Sequence, residues 1–510
     1  MRIIFINLYP DSLAEYQLSS YALVAHAMKD LKLVEKYNFH IINLPCTISL
    51  NELKEAVFSE ESDIICYSVY TWNEKLVLDI CRESKASKVS IFGGPQIEID
   101  SAGKGYYSPE GVNYYIIGEG EEKFKSLLLH LLENKQYEAG YVNVWEEKCK
   151  DIEIGTAAIY STDVIPAEVY YRKAVLLETQ RGCVFHCSYC NYSKGIHNIK
   201  YFNIDTVLNE IDKVIQVQIR ELRIIDPVFT SNISRAKKIL LHMLNYKKQG
   251  FRLPSIFIET EIGLLDKELI NIISGFKDAS YIDNCGNMKM MDVPQVYTSM
   301  TQKYKVLLSL GVQSFNERAL KAVSRRYLDS SEFQAFMQLV REGNIQLKVD
   351  MILGLPYETR ESYLKGLETL IESVRGTDCI VNIHILKIIP NTTLYDMKEQ
   401  FNLYSDPLSH DVTETNTMNW EELLYCKKLS ALLFRIINSG LRHLFYTTGD
   451  KISKEYTSLI QDLYIKLGEN DKLPEIMKDH CEKLSDDYWN HQIYKDIKSE
   501  DIKRYLLAYT

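Results

Sequence analysis

From Met1 onward, short apolar runs alternate with stretches of helical period: MRIIFINLY, SSYALVAHAMKD, FHIINLP, LNELKEAV, DIICYSVY, EKLVLDICRES and KVSIFGG. Strands rich in β-branched and aromatic residues, separated by amphipathic helices, predict an α/β fold with a doubly wound parallel sheet, because parallel strands need crossovers that helices supply. The strand ends carry distinctive residues. Ser68-Val69-Tyr70-Thr71-Trp72-Asn73 follows DIICY, Gly93-Gly94-Pro95 follows KVSIF, and Gly118-Glu119-Gly120-Glu121 follows NYYII. Ligands of open α/β sheets gather at the carboxyl ends of strands, where glycine admits close backbone approach, so this end is expected to be a ligand face.

Beyond Lys135 the periodicity weakens into scattered Gly, Pro and charge, placing a connector at residues 141–172 after a first domain of 1–140. From KAVLLETQ the rhythm returns. The runs LRIID, SIFIET, KVLLSLGV, QLKVDMILG and CIVNIHILKIIP alternate with SRAKKILLHMLNYKK, DKELINIISGF and RESYLKGLETLIESV. With the strand that enters the cysteine-rich segment, they predict about six parallel β/α units, a partial (β/α)6 barrel over residues 173–400. Residues 277–304 interrupt it with Asn-Cys-Gly and several methionines, and read either as an elaborated loop or as a substrate-facing insert. Residues 401–510 read as a helical carboxyl-terminal domain whose aromatic stripes are core. By fold analogy, Tyr404, Trp420 and Tyr425 are expected to close the barrel mouth.

Composition narrows the partners more than the fold. A net charge of -10 argues against phosphate-backbone binding, which draws its affinity from clustered Lys and Arg, so nucleic acid is disfavoured. The opening segment has too short an apolar run for a secretory signal, and no stretch approaches the roughly 20 apolar residues of a membrane span. A cytoplasmic protein is expected. Eleven cysteines, an odd number, do not suggest a disulfide framework.

Three of those cysteines are clustered. Arg181-Gly182-Cys183-Val184-Phe185-His186-Cys187-Ser188-Tyr189-Cys190 places Cys183, Cys187 and Cys190 within eight positions. Soft thiolates select zinc or iron–sulfur centres; a closed zinc site needs a fourth ligand, which His186 could supply from between two of the cysteines. A [4Fe-4S] cluster held by three thiolates instead leaves one iron open to a chelating small molecule.

The Cys-x-x-x-Cys-x-x-Cys loop, with Tyr189 at the aromatic position, resembles the radical S-adenosylmethionine (SAM) superfamily. The resemblance implies a [4Fe-4S] cluster on Cys183, Cys187 and Cys190, with the amino and carboxylate groups of S-adenosylmethionine on the fourth iron. Reductive cleavage then gives methionine and a 5′-deoxyadenosyl radical that abstracts a substrate hydrogen. Later segments match in order. Asp226 in Ile225-Asp226-Pro227-Val228-Phe229, Glu259 closing SIFIE, Gln313 and Ser314 closing LGVQS, Arg325 (or Arg326) in the helix that follows, and Gly354 and Pro356 in the turn after KVDMIL are the implied cosubstrate contacts. Pro390-Asn391-Thr392-Thr393-Leu394-Tyr395 resembles the close of the coproporphyrinogen-dehydrogenase-like (HemN-like) subgroup.

An α/β domain preceding a radical barrel is similar to the class with a cobalamin-binding domain. That resemblance implies a corrinoid near Ser68, Thr71, Gly93 and Gly94. The Asp-x-His-x-x-Gly motif that supplies a cobalt ligand elsewhere is absent; the domain's histidines are His26, His40 and His130, and His40 lies inside a strand. Members of the class often lack the motif. The expected reaction is C-methylation of a small-molecule or peptide substrate, with flavodoxin or ferredoxin as electron donor. Corrinoid-free radical rearrangement, cyclisation or dehydrogenation, and transfer-RNA modification, are the alternatives; for methylthiolation, Cys46, Cys66 and Cys81 lack local ligand spacing. No acid–base or nucleophilic residue is assigned.

Overall fold

The computed structural model describes residues 1–10, 14–59, 61–83, 89–97, 112–133, 143–144, 159–160, 164–192, 199–277, 305–390, 392–407, 409–470, 472 and 498–508. The insertion from 278 to 304 and Asn391 lie outside them. The chain divides into two units: residues 1–182, 195–225 and 250–254 form the first, and residues 183–194, 226–249 and 255–510 the second.

In the first unit, β1 (Arg2–Tyr9), β2 (Asn38–Pro45), β3 (Ile64–Ser68), β4 (Val89–Gly93), β5 (Tyr114–Tyr115) and β6 (Asn143–Val144) form a sheet in the order β2-β1-β3-β4-β5-β6. Every pairing is parallel. Successive side chains of a strand point to opposite faces, so β1 splits its apolar residues between two cores. Ile3 and Phe5 pack with α1 (Leu18–Ala27), α2 (Leu31–Lys36) and α5 (Glu121–Glu133) through Val24, Leu33, Phe124 and Leu127. Ile4, Ile6 and Leu8 pack with α3 (Leu50–Phe58) and α4 (Glu74–Glu83) through Leu53, Val57, Val77 and Ile80. Helix α3 begins where Ser49 and Glu52 cap each other's backbone N–H groups, satisfying donors that the first turn leaves unpaired.

The same unit contains α6 (Ala167–Tyr170), β7 (Val175–Leu177), the antiparallel pair β8 (Gln180–Arg181) and β9 (Lys200–Tyr201), α7 (Ile204–Gln216) and β10 (Glu221–Ile224), which is parallel to β7. Asn203 caps α7 by accepting from the amides of Asp205 and Thr206.

The second unit contains α8 (Ile233–Lys248), β11 (Ser255–Thr260), α9 (Lys267–Ser274), β12 (Val306–Gln313), β13 (Gln346–Leu353) and β14 (Ile380–Ile385). Strands β11 to β14 pair in sequence order, all parallel, with helices Ser330–Gly343 and Arg360–Val374 in the connections. Ile256, Ile258, Leu308, Val349 and Val381 are buried, while the alternate positions Glu259, Lys348, Asn382 and His384 are partly or fully open. One face of these strands is therefore apolar and helix-covered, and the other is polar. The register shifts between Gly311 and Gln313, where Gln313 takes a φ of 69°, so the end of β12 turns out of the ladder. Helix Trp420–Ile437, started by an Asn419–Glu422 capping box, packs on β14 and β13. Among the described residues no helix is long and apolar enough to cross a membrane.

Candidate functional site

The cysteine loop belongs to the second unit, and its backbone is anchored at three points. Cys190 N donates to Cys187 O at 3.0 Å, Ser188 N to Val323 O at 2.9 Å, and Leu394 N to Ser188 O at 2.8 Å. Each sulfur has its own donor: Phe185 N lies 3.4 Å from Cys183 Sγ, Tyr192 N 3.4 Å from Cys190 Sγ, and Arg325 Nη1 3.6 Å from Cys187 Sγ. Such donors favour sulfur as an anion. Burial acts the other way, raising the Cys183 thiol and pushing Cys190 up to about 11. A bound cation is what would favour three thiolates in this setting. Among the described residues no three His, Cys, Asp or Glu side chains close around a point that would hold a single ion. The thiolates of a four-iron cluster stand farther apart than those on one ion.

Tyr189 lies half-buried against the loop, and burial together with Cys187 raises its hydroxyl well above the usual range. Arg325 is held on several sides. Its Nη2 donates to Glu261 Oε2 at 2.8 Å and to Gly311 O at 2.6 Å, and its guanidinium carbon lies 5.1 Å from the centre of the Phe185 ring. A Cβ at Gly311 would push aside the amide end of Gln313 and rest in ordinary contact, at 3.5 Å, with Arg325 Nη2. Gln313 Oε1 is buried without a hydrogen-bond partner among the described residues, an acceptor available to a bound group. Glu259 is open on the polar face of β11, yet crowding by surrounding protein atoms raises its carboxyl to about 7 against the pull of Lys348.

The remaining expected contacts are more enclosed. Asp226 is fully buried. Ser314 is also fully buried and donates to Glu358 Oε1 at 2.5 Å. Gly354 has a φ of 93°, and a Cβ there would lie 2.5 Å from Val412 Cγ1, so glycine is demanded by packing as well as by backbone conformation. Pro356 is buried beside it. Tyr425 meets Tyr464 edge-on at 6.1 Å and lies beneath Arg360, while Tyr404 is 61% exposed.

Sequence reading missed a polar cluster on the open face of β11–β14. Asp350 Oδ1 accepts from Lys348 Nζ at 2.8 Å and Asn382 Nδ2 at 2.8 Å, with His384 Nε2 at 3.1 Å, and Asp350 Oδ2 accepts from Ser309 Oγ at 2.9 Å. Burial opposes the Asp350 charge, but Lys348 and His384 hold the carboxyl well below its usual range. The signal was present: Lys348 and Asp350, and Asn382 and His384, are polar pairs two apart within largely apolar strands.

In the first unit, the expected ligand face is a set of interlocked loops. Gly94 has a φ of 110°, and a Cβ there would lie 2.5 Å from Val69 O, while Val69 N donates to Gly93 O at 2.8 Å. The Tyr70 and Trp72 rings stack at 4.4 Å and 11°, and Trp72 Nε1 donates to Leu8 O at 3.1 Å. Ser68 Oγ and Ser19 Oγ lie 3.1 Å apart, and Thr71 is in the half-exposed turn between the stacked rings. Among the described residues, His26, His40 and His130 all lie outside these loops; His26 bonds Glu122 at 2.6 Å and His40 bonds Arg2 at 2.9 Å.

The acids of Gly118-Glu119-Gly120-Glu121 are engaged within the unit. Arg181 Nη2 meets Glu121 Oε1 at 2.5 Å and Glu178 Oε2 at 2.9 Å, Arg181 Nη1 meets Glu119 Oε1 at 3.3 Å, and Lys200 Nζ meets Glu119 Oε2 at 2.7 Å. Burial opposes the charges of Glu121 and Glu178. At Glu121 the guanidinium more than offsets it and lowers the carboxyl; at Glu178 burial prevails and the carboxyl is raised.

Comparison with known proteins gives this geometry a family. Residues 177–370 match the Radical SAM superfamily. The chain is 25% identical, over 68% of its length, to the cobalamin-dependent radical SAM methyltransferase TokK of Streptomyces tokunonensis, and spans about 50% of that relative. Among solved structures, the cobalamin-dependent S-adenosylmethionine radical enzyme OxsB superposes with a TM-score of 0.55 at 13% identity, covering 99% of this chain and 80% of that one. The radical S-adenosylmethionine methyltransferase TsrM of Kitasatospora setae superposes with a TM-score of 0.54 at 14% identity, covering 78% and 76%. At these identities the structural likeness establishes a shared fold. On the family match, residues 177–370 of this chain are a radical SAM domain.

Proposed function

We propose that the chain is a cobalamin-dependent radical SAM enzyme that methylates carbon in a small-molecule or peptide substrate, with Cys183, Cys187 and Cys190 holding a [4Fe-4S] cluster. The observation that carries this reading is that each of the three sulfurs faces its own N–H donor on one loop of a radical SAM domain. When bound, the cluster and S-adenosylmethionine supply a carbon radical, and methylcobalamin supplies the methyl group.

The chain's own residues bind and orient. Gln313 Oε1 and Glu259 offer acceptors to the cosubstrate, Arg325 a cation, and Tyr189 an aromatic wall; Asp226, Ser314, Gly354 and Pro356 shape the strand ends around them. In the first unit, the stacked Tyr70 and Trp72 rings and the Ser19 and Ser68 hydroxyls would line a bound corrinoid, with Thr71, Gly93 and Gly94 in the same loops. We read the architecture as a doubly wound domain at residues 1–140, a connector at 141–172, a partial barrel with a HemN-like close at 173–400 and a helical domain at 401–510. A cytoplasmic setting with a flavodoxin or ferredoxin donor fits this chemistry.

The test is anaerobic reconstitution with iron, sulfide and hydroxocobalamin, followed by quantification of bound iron and corrinoid and by S-adenosylmethionine carrying a labelled methyl group. One cluster and one corrinoid per chain, with label in product, are expected. A chain that loads the cluster but never retains corrinoid overturns the methyl-transfer reading in favour of corrinoid-free radical chemistry.

A further inference from the structure

We propose that Arg325 and Glu261 form a charge pair that sets the reduction potential of the iron–sulfur cluster through Cys187. This rests on the reading above that Cys187 is a cluster ligand. Arg325 Nη1 lies 3.6 Å from Cys187 Sγ, and Nη2 of the same guanidinium lies 2.8 Å from Glu261 Oε2. The side chains of Arg325 and Glu261 are only 12% and 9% exposed, so solvent and salt screen the pair weakly. Gly311 O, 2.6 Å from Nη2, and the Phe185 ring, 5.1 Å from the guanidinium carbon, fix where the charge stands.

Reduction of the cluster adds one electron from an external one-electron donor, with no bond formed or broken. Cluster and thiolates together become one charge more negative. A cation and hydrogen-bond donor at a ligating sulfur stabilises that reduced state and raises the potential, because such potentials follow local charge and hydrogen bonding at sulfur. Glu261 opposes it by neutralising part of the guanidinium charge. Glu259 is another nearby carboxylate, acting on Cys183 and Cys190.

The two members of the pair therefore have effects of opposite sign, which general damage to the fold would not produce. The experiment is a potentiometric titration, monitored by electron paramagnetic resonance, of the anaerobically reconstituted full chain. Titanium(III) citrate is the reductant and S-adenosylmethionine is omitted, so any contact of Arg325 with the cosubstrate plays no part. Arg325→Gln is expected to shift the potential to more negative values and Glu261→Gln to more positive ones. Potentials equal to the wild type, or shifts of the same sign in both variants, overturn the proposal. Should Arg325→Gln fail to take up a cluster, Glu261→Gln decides alone: a positive shift supports the pair, and no shift or a negative one overturns it. A wild-type chain that holds no cluster overturns the functional reading itself, a result distinct from a loaded cluster with unmoved potentials.

Discussion

Arg181 and Glu121, 60 positions apart, meet at 2.5 Å with side chains only 15% and 7% exposed. Arg181 also holds Glu119 and Glu178, and it stands two residues before Cys183, so the acids that follow β5 fix the strand that leads into the cysteine loop. Removing one partner of a buried pair leaves the other charge uncompensated, typically at a cost of about 3–5 kcal/mol. Arg181→Gln, which strands three acids, should destabilise the chain on that scale, and Glu121→Gln by less, since Glu119 and Glu178 still face the guanidinium. In denaturant unfolding the double variant should lose less than the sum of the singles; strict additivity would contradict the pairing.

Gly94 stands where both backbone conformation and space forbid a side chain. Its φ of 110° is unfavourable for an L-residue, and a Cβ would lie 2.5 Å from Val69 O. Gly94→Ala should therefore cost more than about 1 kcal/mol. Thermal unfolding of the variant at the wild-type midpoint would refute this.

Glu358 gives stability a definite pH dependence. Burial raises its carboxyl to about 8, against about 4.3 for an unfolded glutamate. Between those values the folded state holds a proton that the unfolded state has released, so stability falls as pH rises. The contribution is complete below about 4.3 and lost through about 8. Glu358→Gln should flatten the slope between pH 5 and 8; equal slopes in both proteins would contradict the assignment.

Asp350 collects Lys348, Asn382, His384 and Ser309, and replacing it by alanine strands donors on the polar face of β11–β14. Because Lys348 and His384 keep partial solvent access, the cost should be moderate, about 2 kcal/mol. Urea unfolding of Asp350→Ala measures it, and a loss indistinguishable from zero would show that water replaces the carboxylate.

What could be read from the chain follows from the range of the interactions. The cysteine loop is local, and its ligand types and spacing survive in eight consecutive positions. Alternating apolar runs likewise marked the strands from β1 to β4 and β10 to β14, because strand period and burial are properties of neighbouring residues. Arg181 with Glu121, and Arg325 with Glu261 and Cys187, were not legible as partners, since each contact joins segments that only the folded chain brings together. The glycines lie between these cases. Gly94 and Gly354 were readable as turns, but the atoms that forbid a side chain there, Val69 O in the loop after β3 and Val412 Cγ1 in the strand Val412–Glu414, belong to distant segments.

The central claim is that Cys183, Cys187 and Cys190 together hold a cluster that cleaves S-adenosylmethionine. Its most direct test measures cluster-bound iron and 5′-deoxyadenosine formation in the reduced wild type and in Cys183→Ala, Cys187→Ala and Cys190→Ala. The account predicts about four irons per chain and 5′-deoxyadenosine in the wild type, with both lost or strongly reduced in every variant. Undiminished 5′-deoxyadenosine in any one of the three variants would contradict it.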